Sequence, residues 1–414
     1  MKILEGLKVL DLTTIVSGPY ATSLLADLGA DVIKIEPPSP GDSARVFEST
    51  EPLFTMTGLS PHIMTLARNK RGIVVNLRDA AGKETFDDLV RWTDIVVDNY
   101  RPGVTERLQI DYDSLAKINK RVITCSITGY GHTGPGRDRA ALDACIQAYA
   151  GVMGITDEPN GRPTRAGPLY GDISSGMAGV IGILSAVIAR DRTGIGQHID
   201  ISMLDVQVSM LSYIATMQMM SGLPAARMGN EHTLHVPYNA YPTSDSFLFV
   251  AAFLDNHWAA LTDVLRQTAL PDSVRTDVDF LTQDHLLNRI NRLGAREPIN
   301  IALANILKER TLSEWITDLS AAGIPIAPVN RVEDAVNDPQ VLSRNMIVSI
   351  PHPAGGTFKA PGNAIKMSAA DPDEFAAPPR LGEDTESVLA DVLGYDEQRI
   401  ADLLARGAVE SFRE

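Results

Sequence analysis

The stretch KVLDLTTIVSGPYATSLLADLGADVIKIEPPSPGD, residues 8–42, decides the fold class. Residues 8–12 favour a short strand, and residues 21–28 continue as a helix after a Ser-Gly-Pro turn. Residues 31–35 form a second apolar strand, which ends in a Pro- and Gly-rich loop. A strand–helix–strand unit predicts parallel strands joined by a right-handed crossover. The chain is therefore predicted to be an α/β protein with a parallel sheet.

The same alternation continues along the chain. Strands are predicted at residues 73–76, 95–98 and 122–127, with a helix at residues 83–92. Open α/β sheets bind ligands at the carboxyl ends of such strands. After about residue 221 the pattern changes, and residues 225–330 are predicted to form a smaller α+β domain. The C-terminal tail predicts two short helices separated by a cap at Gly394.

Composition restricts the class of protein. At 414 residues and 44% hydrophobic residues, the chain is long enough for two globular domains. A net charge of −15 argues against a nucleic-acid-binding surface, although local cations can still bind an anion. Cys125 and Cys145 are too few for a disulfide framework, which favours a reducing, cytoplasmic location. No signal peptide is predicted, and the apolar segment 177–189 is expected to be too short to cross a membrane.

Several common chemistries lack their sequence motifs. The first turn, TTIVSGP, has one glycine, so the dinucleotide fingerprint is missing even though Glu36 ends the second strand. There is no phosphate-binding P-loop motif and no G-x-S-x-G nucleophile elbow. His232 and His235 are not accompanied by a zinc-ligand pattern. We therefore expect no metal, no nicotinamide or flavin cofactor and no ATP-driven step.

A second stretch, LYGDISSGMAGVIGILSAVIARDRTGIGQHIDISMLD, residues 169–205, places Asp172 directly before a long apolar run. The run predicts a buried helix, with Asp172 at or just outside its N-terminus. Unpaired N–H groups and the helix dipole would hold that carboxylate ionised. An ionised, positioned carboxylate is either a covalent nucleophile or simply a helix cap.

Cations recur beside the turns at the predicted ligand-binding edge of the sheet. They favour an anionic, phosphate-bearing ligand, although each taken alone fits a solvated surface. These residues are Arg45, Arg68, Lys70, Arg71, Arg101 and Arg107.

Taken together, the motifs resemble the class III CoA-transferases, the family of formyl-CoA:oxalate CoA-transferase, which also has an α-methylacyl-CoA racemase branch. The resemblance covers nearly the whole chain. Its signposts are residues 4–42, NKRGIVVNL, DIVVDNYRPGV, LDACIQAYAG, GDISSGMAGVIGILSAVIARDRTGIGQ and LGEDTESVLADVLGY, in that order.

The resemblance implies a large Rossmann-like domain built from both chain ends and a homodimer of two interlocked subunits. The expected boundaries are residues 1–205 for the first part of the large domain, 206–224 for a linker, 225–330 for the small domain and 331–414 for the return to the large domain. It also implies that Asp172 is the catalytic aspartate. The implied CoA contacts are Val16, Ser17, Arg45, Asn69, Lys70, Arg71, Asn99, Tyr100, Arg101 and Arg107, with Asp143 as an active-site acid. The implied substrate loop holds Gly229, Asn230, Glu231 and His232.

The implied reaction is CoA transfer from an acyl-CoA to a free carboxylic acid through aspartyl anhydride and aspartyl-CoA thioester intermediates. Two departures from the oxalate enzyme, Val16 in place of a glutamine and the sequence from Glu231 in place of a glycine run, argue against oxalate and formate. A racemase is the alternative enzyme, but Leu142 stands where similar racemases have a histidine, so a two-base mechanism lacks one base. A non-catalytic acyl-CoA-binding protein is the alternative without chemistry.

Overall fold

The computed structural model describes residues 2–47, 55, 59–352, 355–371 and 374–413. The strands are β1 (Lys8–Asp11), β2 (Asp31–Glu36), β3 (Lys70–Val75), β4 (Ile95–Asp98), β5 (Ile123–Thr128), β6 (His198–Ser202), β7 (Asn239–Pro242), β8 (Phe247–Val250), β9 (Ile326–Pro328), β10 (Ile347–Pro351), β11 (Thr357–Pro361) and β12 (Val409–Glu410).

Helices connect these strands, and short 3₁₀ turns lie at Ser43–Arg45, Asp272–Val274 and Asp284–Leu287. The helices are α1 (Ser17–Asp27), α2 (Pro61–Leu66), α3 (Ala80–Trp92), α4 (Val104–Leu108), α5 (Tyr112–Ile118), α6 (Asp143–Tyr149), α7 (Val152–Ile155), α8 (Tyr170–Thr193), α9 (Met203–Met210), α10 (Ser212–Ser221), α11 (Asp255–Gln267), α12 (Arg275–Leu281), α13 (Arg289–Gly294), α14 (Arg296–Leu307), α15 (Leu312–Ala321), α16 (Val332–Asn337), α17 (Pro339–Ser343), α18 (Thr385–Asp391) and α19 (Glu397–Ala405).

The chain divides into two compact units. The larger unit contains Met1–Val152, Arg165–Leu223 and Pro339–Glu414, and the smaller contains Met153–Thr164 and Pro224–Asp338. These bounds differ from the expected ones in three places, one of which is residues 331–338, expected in the return to the large domain but found in the smaller unit. The expected linker at residues 206–224 is mostly helical, because it holds most of α9 and all of α10 within the larger unit. Residues 153–164, expected in the large domain, belong to the smaller unit.

The larger unit is built on a seven-stranded sheet in the order β12-β3-β2-β1-β4-β5-β6. All neighbouring strands are parallel except β12, which runs antiparallel to β3. Successive side chains of a strand point to opposite faces. Leu10 accordingly packs with α3 and α18 on one face, and Val9 packs with α1 and α8 on the other. The predicted α/β class is confirmed.

The order of the strands reverses between β1 and β4. From β1 the chain proceeds outward through β2 and β3, and from β4 it proceeds in the other direction through β5 and β6. Open α/β sheets bind ligands in the crevice at such a reversal, beyond the carboxyl ends of the strands. The loops that follow β1 and β4 therefore border the crevice.

Helix α8 is the longest helix of the described chain, at 24 residues. Its small residues permit close packing: a Cβ on Gly176 would lie 2.8 Å from the carbonyl oxygen of Ser17 in α1. Met177, Ile181 and Ile188 on another face are exposed. By length and composition alone α8 could cross a membrane, so the expectation that this apolar segment is too short does not hold for the helix as formed.

The smaller unit has its own core. An antiparallel sheet of β7, β8 and β9 packs with helices α11 to α15 around the buried indoles of Trp258 and Trp315. Arg292 is also fully buried there, and its guanidinium donates to the backbone carbonyls of Val236, Leu286, Leu287 and Phe253.

Candidate active site

Asp172 is the third residue of α8, inside its first turn rather than outside the helix. Its carboxylate accepts no hydrogen bond from the residues that the structure describes. Burial, followed by the negative charge of Asp143, raises the pKa of Asp172 to about 7. The expectation that the helix terminus keeps Asp172 ionised is therefore wrong, because its carboxylate does not receive the terminal N–H groups.

Asp143 takes the place at the helix terminus that the sequence assigned to Asp172. Its Oδ1 accepts hydrogen bonds from the backbone N–H of Gly171 at 2.7 Å and of Asp172 at 3.2 Å. Its Oδ2 accepts from Nε2 of Gln147 at 2.7 Å. Asp143 is 5% exposed, and both of its carboxylate oxygens accept hydrogen bonds. The two carboxyl groups thus differ: Asp143 is fully bonded, and Asp172 is left without a donor.

Gln147 is a part of this site that the sequence analysis missed. It is fully buried on α6, and its Oε1 accepts from the backbone N–H of Ala166 at 2.9 Å. The spacing of four residues between Asp143 and Gln147 on a helix was the available clue, since such residues share a face. The partner at Ala166 was not predictable in this way, because it lies in a separate loop.

Gln207, on α9, explains the glycine that precedes Asp172. A Cβ at position 171 would lie 2.1 Å from Nε2 of Gln207, so any side chain there would collide with the amide. Both polar atoms of Gln207 and the hydroxyl of Ser175 are buried, without a hydrogen-bond partner among the described residues. The start of α8 therefore holds unsatisfied polar groups, which are uncommon in protein interiors.

The backbone N–H groups near Asp172 are already engaged. Those of Gly171 and Asp172 bind Asp143, and that of Ile173 binds the carbonyl oxygen of Leu169 at 3.0 Å. The N–H of Ile173 is therefore not free to bind an oxyanion in this structure.

The loop after β1 holds Val16 and Ser17 at the reversal of strand order. Asn99, which follows β4, clamps this loop: its Oδ1 accepts from the N–H of Thr14 at 2.9 Å, and its Nδ2 donates to the Thr14 carbonyl at 2.7 Å. Ile15 has φ +68°, which is strained for a β-branched residue. Strain of this kind persists where surrounding contacts impose it, often at functional sites. The structure thus brings Val16, Ser17 and Asn99 together.

Arg101 and Arg107 lie just beyond, after β4 and on α4. Both side chains are exposed, and no ion pair to either is found within the described ranges. Tyr100, which precedes Arg101, is half-buried and packs against the core. Two free guanidinium groups at this edge of the sheet suit a phosphate-bearing ligand.

Two other cations of the expected set, Lys70 and Arg45, are bound internally. Nζ of Lys70 lies 2.8 Å from Oδ2 of Asp11, and both side chains are 0% exposed. Arg45 forms two hydrogen bonds with Glu36, at 2.6 and 2.7 Å, and also donates to the Pro379 carbonyl. The structure thus does not present Lys70 or Arg45 to a ligand. Glu36 is likewise committed to Arg45 and is not an exposed ribose-binding acid.

The flanking residues of the N-K-R motif also have acidic partners. Nδ2 of Asn69 donates to Asp27 at 2.8 Å, and Arg71 pairs with Asp31 at 2.8 Å on the half-exposed rim of the sheet. The expectation that this motif lies along the CoA remains a prediction, with Arg71 as its accessible cation.

The expected substrate loop lies in the smaller unit. Gly229 has φ +57°, and its N–H donates to the Asp157 carbonyl at 2.9 Å, with Asn230 following it. Glu231 pairs with Arg296 at 3.0 Å and accepts from Asn300 at 2.6 Å. His232 stacks on His235, with ring centroids 4.1 Å apart. No group of metal-ligating side chains that could hold a metal ion is found in the described part of the chain.

Comparisons with known proteins agree along the chain. The sequence model described as CoA-transferase family III matches residues 4–385. The human succinyl-CoA:glutarate CoA-transferase is 35% identical over 410 residues, covering 99% of this chain and 90% of the relative. The acetyl-CoA:oxalate CoA-transferase of Acetobacter aceti is 36% identical, covering 92% of this chain and 93% of that protein. The crystal structure of a CAIB/BAIF family protein from Brucella suis has a TM-score of 0.82 at 33% identity, covering 94% of this chain and 99% of that one.

Proposed function

The chain belongs to CoA-transferase family III, and from that premise we propose that it transfers CoA through covalent intermediates on Asp172. The observation that carries the proposal is the contrast within the acidic pair, Asp143 and Asp172. Asp143 is saturated with hydrogen bonds, whereas the Asp172 carboxylate accepts none from the described residues. A carboxylate free of donors keeps its lone pairs for attack on a carbonyl carbon.

The proposed sequence conserves charge at every step. The Asp172 carboxylate attacks the thioester carbonyl of the donor, which forms a mixed anhydride and releases the CoA thiolate. The thiolate attacks the aspartyl carbonyl, which leaves an aspartyl-CoA thioester and releases the donor acid as its carboxylate. The acceptor carboxylate then reverses these two steps. Each step exchanges one activated acyl group for another, so no metal, cofactor or ATP enters the scheme.

CoA has to stay bound while its thiolate is free. We assign that task to the crevice beside Val16, Ser17 and Asn99, with Arg101 and Arg107 pairing with its phosphates. Since phosphate contacts at an exposed edge supply binding rather than chemistry, Arg107→Ala is expected to raise the KM for acyl-CoA about tenfold with kcat nearly unchanged. A fall in kcat at unchanged KM in steady-state assays would contradict this assignment.

We propose a dicarboxylic acid on at least one side of the reaction, with succinyl-CoA as the first donor to test. The support is the pair of named relatives, one acting on succinyl-CoA and glutarate and the other on oxalate. Arg45 is not available to bind a second carboxylate, because Glu36 occupies its guanidinium. We take His232 of the substrate loop as a candidate partner. The assay is a panel of C2 to C6 dicarboxylic acids against succinyl-CoA, acetyl-CoA and glutaryl-CoA.

We also propose that the protein works as an interlocked homodimer in the cytoplasm. The exposed apolar residues of α8 support a protein interface, as do Met219, Met220 and Leu223 at the end of α10, which are 78%, 83% and 69% exposed. Exposed apolar area of this kind is rare on monomeric surfaces. Light scattering of the purified protein tests whether it is a dimer, and a monomer at micromolar concentration would contradict the proposal.

Trapping the intermediate tests the central claim. Protein incubated with the active acyl-CoA is treated with borohydride, which reduces an aspartyl thioester to an alcohol. The expected result is a mass loss of about 14 Da, the conversion of a carboxyl group to a primary alcohol, on the peptide containing Asp172 alone. Deuterium washing into the α-carbon of the acyl group without CoA transfer would instead support the racemase. The absence of both CoA transfer and deuterium labelling would support a binding protein without chemistry.

A further inference from the structure

We propose that Gln147 is a positioning residue that fixes the orientation of Asp172, acting through Asp143 and the loop that leads into α8. The inference rests on the proposed role of Asp172. It assigns a function to a side chain that touches neither the substrate nor the nucleophile itself.

The orientation of the Gln147 amide is determined by its partners. The backbone N–H of Ala166 is only a donor, so the atom facing it at 2.9 Å is the amide oxygen. The amide nitrogen is then directed to Oδ2 of Asp143, at 2.7 Å. Gln147 is 0% exposed, so solvent does not compete for either bond. One side chain thus joins a helix to a loop through both of its polar ends.

The bonds of Asp143 complete the connection. Its second oxygen accepts from the N–H groups of Gly171 and Asp172. Residues 166–171 are therefore held at both ends, by Gln147 at Ala166 and by Asp143 at Gly171. The segment AGPLYG forms no regular structure before Tyr170, so a helix or strand hydrogen-bond ladder does not fix its conformation. Without the bridge, the first turn of α8 would lose the contacts that set its direction.

The bridge also fixes the position of the Asp143 carboxylate beside Asp172. The Gln147 N–H is one of three donors that hold this carboxylate in place. Removing the Gln147 amide takes one hydrogen bond from Asp143. Because Asp143 also binds the backbone N–H of Asp172, the backbone at Asp172 becomes less firmly held. A misplacement of the reacting group by about 1 Å costs about a hundredfold in rate.

Gln147→Met tests the inference, since it preserves length and removes both hydrogen bonds. The expected result is a fall in kcat of about 10- to 100-fold, with the KM for acyl-CoA within threefold of wild type. Amide hydrogen exchange across residues 166–172 is expected to accelerate in the folded variant. Cys145→Ala, an exposed position on the same helix, is the matched control and is expected to behave as wild type.

A kcat within twofold of wild type, or a loss that follows only the fraction of folded protein, would overturn the inference. If Gln147→Met does not fold, Gln147→Glu is judged by the same criteria, because it retains an acceptor for Ala166 and removes the amide donor to Asp143. The two proposals fail separately. Full activity of Asp172→Asn would end the proposed function, whereas normal Gln147 variants beside an inactive Asp172→Asn would end only this inference.

Discussion

Two buried carboxyl groups of the larger unit, those of Asp11 and Asp172, have pKa values shifted in opposite directions. Asp11, at the end of β1, is completely buried, yet its pKa lies well below the usual range: burial raises it, and the ammonium groups of Lys70 and Lys34 lower it by more. Asp172 is less deeply buried, yet burial and the charge of Asp143 raise its pKa to about 7. The difference shows that the partners of a carboxyl group decide its charge more than its depth does. Asp11 has cationic partners, whereas Asp172 has no cation or hydrogen-bond donor at its carboxylate among the described residues.

The largest expected effect is on catalysis. Asp172→Asn replaces the attacking carboxylate with an amide of the same shape, so transfer is expected to fall by at least about 10³-fold. The measurement is CoA exchange between succinyl-CoA and a radiolabelled acid. Asp191→Asn, on the exposed end of the same helix, is the control and is expected to retain wild-type activity. Wild-type rates in a homogeneous Asp172→Asn preparation would show that Asp172 is not the nucleophile.

Breaking the scaffold pair is expected to act on stability instead. Lys70→Met leaves the Asp11 carboxylate without its ammonium partner in a site with no solvent access. Removing one member of a buried ion pair costs about 3–5 kcal/mol in the free energy of unfolding. Urea denaturation followed by circular dichroism measures this loss. A variant with unchanged stability would mean that the buried charges of this cluster compensate one another without Lys70.

The difference in stability between Asp172→Asn and the wild type is expected to change with pH. The direction of this change is opposite to that caused by the loss of a salt bridge. Burial and Asp143 raise the pKa of Asp172 from 3.8 to about 7, so the folded state binds its proton more tightly than the unfolded chain. Below about pH 4, Asp172 is protonated in both the folded and the unfolded protein, so its raised pKa does not destabilise the wild type. Between pH 4 and 7 the wild type loses stability relative to the variant, and above about pH 7 the gap is constant, at roughly 2–4 kcal/mol.

Thermal unfolding of both proteins from pH 4 to 9 tests this sign. A stability difference between variant and wild type that does not shift in favour of the variant between pH 4 and 7 would contradict a raised pKa at Asp172. The comparison with Asp11 predicts the reverse trend for that residue, whose lowered pKa adds stability above the unfolded value.

The smallest expected effect concerns the pair itself. Asp143→Asn keeps an oxygen for the Gly171 and Asp172 N–H groups but removes the charge that, after burial, raises the pKa of Asp172. The acid limb of the kcat/KM profile is expected near pH 7 in the wild type and at lower pH in the variant. Asp138→Asn, exposed and distant from these bonds, should leave the profile in place. An unmoved limb in Asp143→Asn would mean that burial alone sets the pKa.

Much of the scaffold followed from local pattern. Apolar runs bounded by Gly and Pro turns located β1, β2, β4 and β5, and the apolar stretch after Asp172 located α8, because each of these depends on neighbouring residues. The same reasoning could not place Gln147 or Gln207 beside Asp172. Those contacts join α6, α9 and the start of α8, segments that come together only when the sheet is complete.

The sequence alone determined that a parallel α/β sheet forms, that cations recur at its carboxyl edge, and that an aspartate lies at the start of a long apolar helix. Only the tertiary structure decided which aspartate receives the helix N–H groups and which cations stay accessible. Periodicity and turn residues act over a few positions. The charge state of a buried carboxyl group is set by donors and charges that are distant in the chain. Asp143 lies 29 residues from Asp172, and Lys70 lies 59 residues from Asp11.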